Sequence, residues 1–222
     1  MFLHGIGSVA DAWAPQVEAF KSTRSVITPE VELSIQKAVF ALDALEIVDA
    51  DLCGLSWGSL VALRYTVDRP ERVSRLILTA GFASLPLYLR VFQYAMSAAV
   101  QVIPRAPHHL GAPMREGARF DVRRSVERLQ TPTLVLCGDR DRVNLRLSRT
   151  LAALLPNARF ETIPDAGHIA NRDNPTAFNR AVAAFVDSPA DALCIPTAMH
   201  ANPDGAGHAR RFISGRDPRT PM

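Results

Sequence analysis

One turn constrains the fold of this chain more than any other feature. Gly54-Leu55-Ser56-Trp57-Gly58 stands between Ala50-Asp51-Leu52-Cys53, a short run of strand character, and Leu60-Val61-Ala62-Leu63-Arg64-Tyr65, which reads as a helix. A strand that turns straight into a helix forces strained backbone angles on the serine, and glycine at the flanking positions avoids collision. The hydroxyl is left exposed above the strand end, beside the free N–H groups and positive dipole end of the new helix. With 12 glycines in the chain, chance supplies about 0.04 such G-x-S-x-G matches, so the strand, turn and helix context carries weight.

The rest of the chain repeats the same rhythm of short apolar runs and longer amphipathic stretches, the pattern of βα units around a mostly parallel sheet with helices on both faces. Six strands are expected, at Met1–His4, Ser25–Thr28, Ala50–Gly54, Ser74–Gly81, Thr133–Cys137 and Arg159–Ile163. Helices are expected at Ala12–Lys21, Ile35–Leu45, Ser56–Asp68, Leu145–Leu155 and Pro175–Val186. Residues 82–130 break the rhythm, opening on an apolar helix-like piece and passing through Pro104, Pro107, Gly111, Pro113 and Gly117, and read as a short helical lid inserted between two strands. The catalytic unit is expected to span residues 1–187. Residues 188–222, crowded with proline and glycine, are expected to form a disordered tail.

A serine hydroxyl is a weak nucleophile until a base takes its proton, so a histidine and an orienting carboxylate should follow in the chain. His168 lies in Asp165-Ala166-Gly167-His168-Ile169, just after the last expected strand, where catalytic groups of an α/β sheet collect. The carboxylate lies in Gly138-Asp139-Arg140-Asp141, with Asp141 favoured and Asp139 the competitor. An oxyanion requires a second donor from another loop, and His4-Gly5-Ile6-Gly7 after the first strand supplies one. The N–H groups of Ile6 and Trp57 are expected to converge on a bound carbonyl oxygen, while His4 orients its loop. Leu85, Tyr88 and Phe92 of the insertion, with Ile169, are expected to line the substrate pocket.

With these residues in place, the chain resembles the α/β-hydrolase superfamily over residues 1 to about 187: Leu3-His4-Gly5, the Gly-Leu-Ser-Trp-Gly-Ser elbow, Arg69-Pro70-Glu71-Arg72-Val73, Gly138-Asp139-Arg140-Asp141 and Ala166-Gly167-His168. The resemblance implies the order Ser56, acid, His168, and places the acid three residues after the glycine, at Asp141. It implies a compact version of that fold, since the hairpin that normally precedes the first strand and an Asp-x-Arg-Gly-x-Gly-x-Ser loop are not seen. Ser59 stands where the family commonly has a second glycine. The function implied is that of a serine carboxylic-ester hydrolase acting through an acyl-enzyme, which requires no metal or organic cofactor. The alternatives are an enol-lactonase, another lactone or carbon–carbon bond hydrolase, and a degenerate homologue that binds a ligand without turnover.

Composition narrows the partners. The 25 basic residues are scattered among 22 acidic ones with no basic run longer than two, which argues against nucleic-acid binding and leaves a small-molecule ester or lactone as the expected partner. Cys53, Cys137 and Cys194 show no C-x-x-C spacing, so neither a disulfide framework nor a zinc site is indicated, and His108-His109 lacks a third ligand. No apolar run reaches the roughly 18 residues needed for a membrane span, and a cytoplasmic location is expected. Nothing in the sequence fixes the oligomeric state.

Overall fold

The computed structural model describes residues 1–189. Five parallel strands, β1 (Phe2–Leu3), β2 (Ala50–Leu55), β3 (Val73–Thr79), β4 (Thr133–Gly138) and β5 (Ala158–Ile163), lie side by side in that order. The helices among the described residues are α1 (Ala14–Phe20), α2 (Ile35–Asp43), α3 (Trp57–Asp68), α4 (Leu87–Val102), α5 (Gly111–Arg119), α6 (Arg123–Val126), α7 (Arg142–Leu154), α8 (Ala170–Asp173) and α9 (Pro175–Val186). None of them is long and apolar enough to cross a membrane.

The period-two alternation of side chains along each strand divides the core in two. Leu76, Leu78 and Val135 point to one face, where they pack with Leu52, with Leu60 and Leu63 of α3 and with Leu151 of α7. Ile77, Leu134 and Leu136 point to the other, against Trp13, Phe178 and Phe185. Trp13 has no exposed surface and its ring lies 4.9 Å from that of Phe2, so this aromatic group ties α9 and the segment before α1 to the first strand. Each fully buried side chain of this size contributes about 1.5–3 kcal/mol, which is why the two apolar layers fix the sheet.

Two sequence expectations are corrected. Ser25–Thr28 is not a sixth strand. It runs beside β1 and accepts one hydrogen bond, from the Phe2 N–H to the Ile27 carbonyl at 2.8 Å, but β1 is only two residues long and offers no ladder to extend. The helix expected from Leu145 begins earlier, at Arg142, because the Asp141 carboxylate caps it by accepting from the Asn144 N–H at 3.2 Å.

Between β3 and β4, residues 82–130 leave the sheet. Pro86 sits at the N-cap of α4, and the helix stops before Pro104, as proline demands at both ends. α4 packs on α5, and a bridge between Ser84 and Asp121 closes the base of the insertion. The proline- and glycine-rich segment from residue 190 onward, including Cys194, lies outside the described residues.

Candidate active site

The turn from β2 to α3 has the strain its sequence demands. Ser56 adopts φ 54° and ψ −113°, held there by its N–H donating to the Thr79 carbonyl at 2.8 Å. The glycines are required by contact. A Cβ on Gly54 would lie 2.3 Å from the Gly58 oxygen, and one on Gly58 would lie 2.1 Å from the Leu3 oxygen, so neither strand nor helix leaves room for a side chain. Ser59 fills its own position usefully. Its hydroxyl lies 2.7 Å from the Gly54 carbonyl and 2.8 Å from the Thr79 carbonyl and donates to this pair, bridging β2 to β3 beneath the turn.

Ser56, His168 and Asp141 come from three different loops at the carboxyl ends of β2, β5 and β4 and form one chain of hydrogen bonds. The Ser56 Oγ lies 3.0 Å from His168 Nε2, and His168 Nδ1 lies 2.7 Å from Asp141 Oδ2. With Asp141 accepting at Nδ1, that nitrogen carries the proton and Nε2 is free to accept from the serine. Burial pushes the Asp141 carboxyl up, but the hydrogen bonds from His168 and Asn144 outweigh it and hold the group below its ordinary value. Cys137 lies close by in β4 and is buried. Burial, and after it the Asp141 charge, raises its thiol to about 12.

Asp139 does something else. Its carboxylate accepts from the N–H groups of Asp165 at 3.1 Å and Ala166 at 3.2 Å, both in the loop that carries His168. The Arg140 N–H donates to the Ala166 carbonyl at 2.9 Å, and a Cβ on Gly138 would meet the Gly167 oxygen at 2.2 Å. The acid and histidine loops are thus latched backbone to backbone, and Asp139 is part of the latch while Asp141 faces the imidazole.

The loop after β1 crosses over the serine, with the Gly5 Cβ position only 3.3 Å from Ser56 Cβ. His4 is buried within this loop. Its Nδ1 lies 3.0 Å from the Gly5 carbonyl, and its Nε2 lies 3.0 Å from the Val31 N–H and 3.1 Å from Glu30 Oε2, so the ring ties this loop to residues 30 and 31. The N–H groups of Ile6 and Trp57 have no acceptor among the described residues, and both residues border the cavity that Ser56 and His168 enter.

That cavity has a volume of about 330 Å³. Leu85 and Phe92 lie on its wall as expected from sequence, together with Leu89, Met114 and Leu147. Tyr88 and Ile169 do not. The face of α4 that looks inward is centred on Leu89 and Gln93, with Phe92 at its border. Tyr88 lies about 40° further round by helical geometry and lines a separate groove with Arg146 and Leu154. Ile169 follows His168 but is not part of the cavity wall and is 38% exposed. Sequence reasoning missed Asn144, although a polar residue three positions after an N-cap acid is a readable signal, and it missed Gln93, one turn after Leu89 on the same helix face. A second cavity, of about 360 Å³, opens at the amino ends of β1 and β2 and contains none of Ser56, Asp141 and His168.

The chain belongs to the alpha/beta hydrolase family, whose sequence pattern it matches over residues 1–181. Among curated relatives, a 2-hydroxymuconate semialdehyde hydrolase from Pseudomonas sp. (strain CF600) is 26% identical, over 88% of this chain and 88% of its own length. A 3-oxoadipate enol-lactonase from Acinetobacter baylyi is 25% identical, over 84% of this chain and 87% of its own. Among solved structures, an alpha/beta hydrolase from a Medee basin deep-sea metagenome superposes with a TM-score of 0.72 at 18% identity, over 85% of this chain and 88% of that one. The relatives are hydrolases of small molecules, and the likeness to the solved structure is one of fold.

Proposed function

We propose that this chain is a serine hydrolase that cleaves carboxylic esters through an acyl-enzyme intermediate. The observation that carries the reading is the unbroken run of hydrogen bonds from Ser56 Oγ through His168 to Asp141, at 3.0 and 2.7 Å, opening into a mostly apolar cavity. Ser56 Oγ attacks the ester carbonyl carbon while His168 Nε2 takes its proton. Asp141 holds the Nδ1 proton and stabilises the imidazolium, and the N–H groups of Ile6 and Trp57 receive the negative charge on the carbonyl oxygen. His168 then returns the proton to the leaving alcohol, and a water molecule, activated by the same base, releases the acid. No step draws on a metal or organic cofactor. The cavity wall contributed by Leu85, Leu89 and Met114 supports reading residues 82–130 as a lid over a catalytic unit that spans residues 1–187.

A fluorophosphonate probe tests the assignment. It is expected to label the wild-type chain and not Ser56→Ala, and equal labelling of both refutes the role of Ser56. Two relatives are named for an enol-lactone and a semialdehyde, which favours lactone or carbon–carbon bond hydrolysis as the second reading, because the same proton relay serves both. Faster turnover of simple lactones than of open-chain esters by the wild type, lost in His168→Ala, would move the assignment to that reading.

A further inference from the structure

The polar side chains on the wall of the Ser56 cavity are nearly all committed. Ser56 and His168 face each other, and the Asn144 amide donates to both oxygens of Asp141, at 3.0 and 2.9 Å. Gln93 is the exception. Its Oε1 is enclosed, yet it has no hydrogen-bond partner among the described residues. An amide oxygen in that position carries its full desolvation penalty until something in the cavity bonds to it.

Gln93 and Gly117 of α5 both lie on the cavity wall. A Cβ on Gly117 would lie 3.4 Å from Gln93 Oε1 and 3.9 Å from Trp57 Cζ3, so the carboxamide and the edge of the indole flank this glycine, and a larger side chain there would crowd both. The remaining wall is apolar, and no Lys, Arg, Asp or Glu lines the cavity among the described residues. A charged group bound there would lose its hydration with no counter-charge to replace it. The volume is also at the small end of the range of about 300–1,000 Å³ for ligand sites, which limits the substrate to a compact molecule.

We propose that Gln93 selects the substrate: the preferred ester is small, uncharged and carries a hydroxyl that bonds to the Gln93 carboxamide when its carbonyl sits at Ser56. This rests on the hydrolase reading of the same site. A hydroxyl suits the site because it can donate to Oε1 or accept from the Nε2 amide, so the pairing holds for either orientation of the carboxamide. An analogue without the hydroxyl leaves the Gln93 oxygen buried and unpaired, and a site of this kind discriminates against such analogues.

The test uses the full chain and two series of esters followed with a pH indicator. One series carries a single hydroxyl moved along the acyl chain, the other a single hydroxyl on the alcohol chain, and each has a plain parent and a carboxylate-bearing counterpart. At least one hydroxylated ester is expected to exceed its plain parent in kcat/KM by about tenfold to a hundredfold, while the carboxylate counterparts fall below the plain parents. Gln93→Met and Gln93→Leu are each expected to bring the hydroxylated-to-plain ratio down to about one. The proposal is overturned by a wild type that favours the plain esters throughout, or by a Gln93 variant that keeps the wild-type ratio. The wild-type preference is read without any variant, so the outcome stands even if a substitution unfolds the chain. Ser56-dependent labelling and turnover of plain esters alongside such a result leave the hydrolase reading intact. No labelling and no turnover refute that reading, and this inference with it.

Discussion

Replacing Asp141 with asparagine should inactivate the site through a single proton. Two donors meet the Asp141 carboxylate from Asn144: the backbone N–H at 3.2 Å from Oδ1, and the side-chain amide at 3.0 Å from Oδ1 and 2.9 Å from Oδ2. An asparagine at 141 has only one acceptor oxygen, and the N-cap of α7 together with the Asn144 amide claims it for the Oδ1 position. The new NH₂ group is left facing His168 Nδ1, which must then give up its proton and accept. The proton moves to Nε2, and His168 can no longer take one from Ser56, 3.0 Å away. Loss of the base-competent tautomer costs about 10⁴-fold in kcat in serine proteases, or about 5 kcal/mol, and the same order is expected here. Steady-state hydrolysis of a p-nitrophenyl ester measures it, with thermal unfolding in parallel to separate a tautomer effect from misfolding. Adding Asn144→Asp to Asp141→Asn should recover about tenfold, because the new carboxylate attracts the NH₂ and turns the amide oxygen back towards Nδ1. Activity of Asp141→Asn within tenfold of wild type, or a double variant no better than the single one, refutes the reasoning.

Three further outcomes are expected. Asp139→Asn keeps one acceptor for the two N–H groups of Asp165 and Ala166, so it should lower stability by about 1–2 kcal/mol in urea unfolding while reducing kcat far less than Asp141→Asn; the reverse ranking would return the acid role to Asp139. Gly58→Ala places a Cβ 2.1 Å from the Leu3 backbone oxygen, which cannot rotate away, so a loss of about 3 kcal/mol or more is expected, and a urea midpoint equal to wild type would contradict the packing described for the turn. The Asp141 carboxyl is held below its ordinary value in the folded chain, so its stabilisation is complete above the unfolded value of about 4 and is lost as pH falls through the depressed folded value. Asp141→Asn should therefore flatten the acid decline of the urea midpoint, and an unchanged decline would show that the carboxylate is not held as the geometry requires.

Much of the site was legible in the sequence because its parts are local. The strained serine needs glycines two residues away on either side, a carboxylate after Gly138 opens a helix, and the histidine follows a strand, so Ser56, the Asp139 and Asp141 pair and His168 each announce themselves within a few residues. The choice between Asp139 and Asp141 was not legible from the residues alone. Both sit in one loop, and only the approach of the Asp165–Gly167 backbone shows that Asp139 binds amides while Asp141 meets the ring. Ser25–Thr28 has strand composition, but a strand exists only with a partner long enough to form a ladder, and β1 is not. Tyr88 and Phe92 look alike as apolar residues on one helix, yet the rotation of α4 on α5 brings Phe92 to the cavity and leaves Tyr88 outside.

By itself the sequence determined the alternation of strands and helices, the family and the chain order of serine, acid and histidine, because those depend on hydrophobic period and on turns a few residues long. Tertiary structure decided which carboxylate faces the imidazole, which side chains wall the cavity, and that Gln93 is left there with an unpaired oxygen. Those outcomes depend on contacts between residues far apart in the chain, such as Asp141 with His168 and Gln93 with Gly117 and Trp57, and no local pattern encodes such distances.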